Sequence, residues 1–141
     1  MINICFVCSG NTCRSIMAER LMKVLLKERE IKDIKVISRG LYAKGDNITT
    51  EAKNALKEYK ALSSNRKSVK LGKIDKNTLY ITMTDAQKQN IKSAKVLSFK
   101  NLTGFDILDP YGQSQEVYNK TAEEIYKGLL ILLKQIETWR K

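Results

Sequence analysis

The chain has 141 residues, 43% of them apolar, and a formal net charge of +11 from 26 Lys and Arg against 15 Asp and Glu. That length suits one compact domain over residues 1–141, and one Pro with seven Gly speaks against disorder or low complexity. Histidine is absent, which excludes any mechanism built on a histidine general base and removes the commonest metal ligand.

All three cysteines fall within the first thirteen residues. An odd, clustered set argues against a secreted disulfide framework and for a free thiol in a reducing cytoplasm. The first apolar stretch, residues 2–7, is too short for a signal peptide or a membrane span, so no membrane association is expected.

In chain order, residues 2–7 form a short run of β-formers ending at Ser9-Gly10-Asn11, which reads as a buried strand. From Ser15 the spacing changes: Met17, Ala18, Leu21, Met22, Leu25 and Leu26 mark an amphipathic helix. Residues 35–38 read as a second strand closed by Arg39-Gly40, followed by a helix with Ala52, Ala55, Leu56 and Tyr59 on one face. Residues 78–83 are a third strand, and Thr84 with Gln87 gives a capping box for the next helix. Residues 95–99 are a fourth strand, residues 100–113 a loop, and Ser114 caps a long last helix with Tyr118, Ala122, Ile125, Leu129, Leu132 and Ile136 facing inward. Alternating strands and helices imply an α/β fold, a parallel sheet with its ligand site at the carboxyl ends of the strands.

The first strand-to-helix turn carries the chemistry. It runs from Cys8 through Ser9, Gly10, Asn11, Thr12 and Cys13 to Arg14 and Ser15. Such a loop can curl its N–H groups inward as an anion nest at the positive end of a helix dipole, a field that also favours a thiolate at Cys8. Arg14 brings a planar fork suited to phosphate oxygens, and Ser15 can donate to the sulfur when it leaves. Gly10 and Asn11 tolerate the positive φ that a tight ring of N–H groups needs. Cys5 and Cys8 also spell Cys-x-x-Cys, but zinc there would need a carboxylate as fourth ligand, so Cys5 is read as core packing and no metal or cofactor is expected.

Displacement at phosphorus also needs an acid for the leaving group, and without histidine a carboxylate must serve. Asp109 is the candidate, because Pro110 restrains the residue before it; Asp106 is the competitor.

Residues 6–19, together with Asp109-Pro110-Tyr111, closely resemble the low-molecular-weight protein tyrosine phosphatases. The likeness extends to Ser38-Arg39-Gly40, to Met83-Thr84 and to the final helix. It implies a single-domain, Rossmann-like, four-stranded parallel sheet with helices on both faces, and a two-step reaction through a phosphocysteine. Asn11 and Ser38 would hold the loop in shape, and Cys13 would pair reversibly with Cys8 under oxidation. Leu41, Tyr42 and Tyr111 would wall the cleft. Thr12 stands where the arginine-phosphatase branch has threonine and the tyrosine branch a larger aliphatic residue, so phosphoarginine in proteins is the expected substrate and phosphotyrosine the alternative.

Two departures stand out. Ile16 replaces a common proline, and Asn65 takes the place of a histidine that buttresses the loop. Thioredoxin-linked arsenate reductases share the loop, but no cysteine follows Cys13 to relay oxidation. The positive charge suggests a basic binding module. However, lysines such as Lys53, Lys57 and Lys60 are scattered without an aromatic platform, so no specific nucleic-acid partner is expected. A monomer is expected.

Overall fold

The computed structural model describes residues 1–61, 65–93 and 95–140. Four strands, β1 (Ile2–Cys8), β2 (Ile34–Gly40), β3 (Thr78–Thr82) and β4 (Val96–Ser98), form one sheet in the order β2-β1-β3-β4. Every pairing is parallel. The helices are α1 (Arg14–Glu28), α2 (Thr50–Lys57), α3 (Asp85–Lys88), α4 (Phe99–Thr103) and α5 (Gln115–Trp139).

Strand alternation sorts the core. Ile4, Phe6 and Cys8 of β1 face a large cluster with α1, α2, α4 and α5. Cys5 and Val7 face a smaller one with Tyr80, Ile91, Leu71 and Ile74. The six residues expected to face inward from α5 are all buried in the large cluster. Each such aliphatic side chain contributes roughly 1.5–3 kcal/mol. Gly128 lets α5 approach α4: a Cβ there would sit 2.5 Å from the Phe99 ring.

The sequence reads residue 99 as strand and 100–113 as loop, yet Phe99–Thr103 form the helix α4. Ser98 caps it, accepting from the Asn101 N–H, while the Asn101 side chain accepts from the Ser98 N–H. Asn completes the capping box where Glu or Gln is usual, so the signature is faint in the sequence. Phe99 belongs to this helix rather than to β4.

β1 has β2 on one side and β3 on the other, and the chain leaves β1 toward β2. The loop after β1 therefore opens at the point where strand order reverses, the usual crevice for a ligand.

Candidate active site

Between the end of β1 and the start of α1 the chain turns around the Cys8 sulfur. Asn11, at φ 57°, adopts the left-handed conformation. Its N–H donates to Cys8 Sγ at 3.2 Å, and Ser15 Oγ lies 2.9 Å from the same sulfur. Asn11 Nδ2 donates to Ser15 Oγ at 2.8 Å, which leaves the Ser15 hydroxyl hydrogen for the sulfur.

α1 also differs from the other helices at its N-terminus. Thr49, Thr84, Ser98 and Ser114 cap α2 to α5 with their side chains. At α1 the N-cap is Cys13, which makes no capping bond, and no acidic residue occupies the first turn. The N–H groups and positive dipole end there are left to the loop, where an anion would complete them.

Asn11 is fully buried and fully used. Nδ2 also donates to Ser38 Oγ at 3.0 Å, while Oδ1 accepts from the Val69 N–H at 2.9 Å and from Arg66 Nη1 at 3.4 Å. Ser38 Oγ donates to Glu19 Oε1 at 2.7 Å and accepts from Arg66 Nη2 at 2.9 Å. The buried Glu19 carboxylate has Lys23 at 3.1 Å, Arg20 at 3.4 Å and Arg66 at 3.5 Å. Surrounding cations and the Ser38 hydroxyl offset the cost of burying that charge. Arg66 thus sits where Asn65 was expected to buttress the loop; the fold brings the neighbouring residue to Ser38 and Asn11.

Arg14 is buried, with Nη1 donating to the Ile107 carbonyl at 2.9 Å and Nη2 3.8 Å from Asp109 Oδ2. Ile107 is itself tied to the end of β3, its N–H donating to the Met83 carbonyl at 2.9 Å. Asp109 is half exposed, and its Oδ1 accepts from the Tyr111 N–H at 3.1 Å. Asp106, the competing carboxylate, instead accepts from the Asp85 N–H at 2.8 Å at the start of α3.

Arg14 and Asp109 line a cleft of about 380 Å³ whose floor is residues 8–14 and whose walls include Asp46, Asn47, Thr49, Asp109 and Tyr111. Leu41 and Tyr42 do not line it. Their N–H groups hold the loop, donating to the Cys8 and Ser9 carbonyls at 2.9 Å each. The Leu41 side chain packs into the smaller cluster, and Tyr42 is exposed. Thr12 does line the cleft, with Oγ1 3.6 Å from Cys13 Sγ. Cys13 Sγ lies 3.3 Å from the buried Tyr118 hydroxyl, whose pKa is raised by burial and by this contact. Ser9 Oγ accepts from Gln87 Nε2 at 3.1 Å, joining α3 to the loop. Ile16 is fully buried in the large cluster, so apolar packing replaces the rigidity of a proline.

A buried thiol within reach of N–H and O–H donors, with an arginine fork and a carboxylate at the same mouth, is an arrangement for displacement at phosphorus. A family model described as low molecular weight phosphotyrosine protein phosphatase matches residues 3–141. The chain belongs to this family. Its relatives within the low-molecular-weight phosphatases include the protein-arginine-phosphatase of Bacillus subtilis (strain 168), 38% identical over 99% of this chain and 100% of that protein. The low molecular weight protein-tyrosine-phosphatase PtpA of Staphylococcus aureus (strain MRSA252) is 32% identical over 92% of this chain and 88% of that one. Among solved phosphatases, a YwlE mutant from Bacillus subtilis superposes with a TM-score of 0.87 at 36% identity, covering 97% of this chain and 99% of that one.

Three residues of this phosphatase site escape a reading of the sequence. Arg66 and Gln87 reach it from distant segments. Gly40 shows nothing by itself, yet a Cβ there would lie 2.8 Å from Gly10 C and 2.9 Å from Asn11 N. Only glycine lets the loop rest on β2.

Proposed function

We propose that this phosphatase removes phosphate from phosphoarginine side chains of cytoplasmic proteins through a phosphocysteine intermediate. The observation that carries the mechanism is the pair of donors, Ser15 and the Asn11 N–H, on the Cys8 sulfur. In the first step the Cys8 thiolate attacks phosphorus, and the P–N bond breaks with its electron pair on nitrogen. Asp109 delivers the proton to that nitrogen. Arg14 and the loop N–H groups hold the equatorial oxygens as charge builds on them. In the second step Asp109 takes a proton from water, the water oxygen attacks phosphorus, and the P–S bond breaks. The sulfur leaves as a thiolate onto the same two donors, and inorganic phosphate departs.

Thr12 supports arginine over tyrosine. Its side chain lines the cleft beside the loop and offers a hydroxyl where a larger aliphatic residue would pack an aryl ring. The likeness to the Bacillus subtilis protein-arginine-phosphatase over nearly the whole chain supports the same reading. Tyr111, an aromatic wall, favours the second reading, a phosphotyrosine substrate with the same mechanism.

Kinetics on one peptide carrying either phosphoarginine or phosphotyrosine decide between them. The expected result is a kcat/KM for phosphoarginine about tenfold or more above that for phosphotyrosine, eroded by Thr12→Ile and abolished by Cys8→Ser. Equal or reversed ratios for the unmodified protein overturn the arginine assignment, and turnover by Cys8→Ser overturns the mechanism.

A further inference from the structure

The floor of the cleft is made for an anion, yet its wall carries charge of the opposite preference. Asp109 has a task in the reaction and a cation at 3.8 Å. Asp46 lines the same cleft, and among the described residues its carboxylate makes no ion pair, although the chain has 26 Lys and Arg.

Asp46 is held where it is. Its carbonyl accepts from the Ser68 N–H at 2.7 Å and its N–H donates to Ser68 Oγ at 2.9 Å, with Ser68 buried. Three residues on, the Thr49 N–H donates to the Thr12 carbonyl at 3.2 Å, tying this wall to the floor.

A carboxylate near a bound phosphate dianion repels it, an effect that solvent weakens but does not remove at the exposed Asp46. For an aryl phosphate nothing offsets that cost. A phosphoguanidinium group is different: next to its phosphorus lies a delocalised cation with N–H donors, the partner a carboxylate prefers. We propose that Asp46 is a specificity-determining residue that receives the guanidinium of a phosphoarginine whose phosphate rests on residues 8–14. This assignment rests on the arginine reading above.

The test uses Asp46→Asn and Asp46→Glu on the intact chain, again with one peptide in phosphoarginine and phosphotyrosine forms. In Asp46→Asn the ratio of the two kcat/KM values falls about fivefold, the size of a partly screened charge contact, and Asp46→Glu recovers most of it. A ratio that Asp46→Asn leaves at the unmodified value, with phosphoarginine still preferred, overturns the role of Asp46 and spares the arginine reading. An unmodified protein that prefers phosphotyrosine overturns both.

Discussion

The Asn11 side chain has no spare hydrogen-bonding capacity, and that is what holds its left-handed backbone. Four partners, Ser15, Ser38, Val69 and Arg66, take both amide hydrogens and the carbonyl oxygen. A non-glycine residue at φ 57° persists because its surroundings over-determine it, and here the reward is an N–H aimed at sulfur. Arg66 acts through Asn11 and Ser38, so it is a positioning residue. Arg66→Met is expected to lower kcat about tenfold with a smaller change in KM, and Arg66→Lys to restore part of the loss by keeping a cation beside Glu19. Steady-state kinetics check this; full activity in Arg66→Met, or no rescue by lysine, contradicts it. Cys8 stands out as the candidate nucleophile from its spacing to Arg14 together with its place after the first strand, and strand alternation explains Cys5, which points into the opposite cluster, where burial pushes its thiol up to about 12. Arg66 was not readable. Residues 65–76 have no periodicity to fix their facing, so a shift of one residue between Asn65 and Arg66 is decided by tertiary packing.

At the scale of elements, strands and long helices followed hydrophobic period closely, because each buries a continuous face. The short α4 and the close approaches did not, since they depend on a weak cap or on atoms the sequence does not place side by side. Gly40 is the clearest case: β2 supplies the shelf on which Gly10 and Asn11 lie. Gly40→Ala sets a methyl group 2.8–2.9 Å from Gly10 and Asn11 atoms, two of them backbone, and the loop must shift. The expected result is a loss of about tenfold or more in kcat/KM, because small displacements of reacting groups are costly. Gly72→Ala, where an added Cβ meets nothing within 4 Å, serves as the control and keeps activity. Equal activity in the two variants would show that the loop does not rest on β2 as described.

For the whole molecule, the net charge of +11 is the feature most visible in the composition and the least tied to any single element. Any effect it has on substrate encounter acts at long range. A positive surface raises the encounter rate with phosphorylated, anionic chains, and salt screens that attraction beyond roughly 10 Å at 0.1 M. Raising salt from about 0.02 M to about 0.2 M is therefore expected to lower kcat/KM on an acidic phosphopeptide several-fold while kcat changes little. A kcat/KM indifferent to salt would mean that the charge serves only solvation.

The site is also distributed in the order of synthesis. The Cys8 thiol and its donors lie within residues 8–15, but the carbonyl that holds Arg14 belongs to Ile107 and the carboxylate beside it to Asp109. A growing chain therefore displays its thiol loop long before it acquires Asp109, the acid of the proposed mechanism. In the proposed mechanism, catalytic competence arrives late in translation and all at once, when the segment after β4 docks on the end of β3.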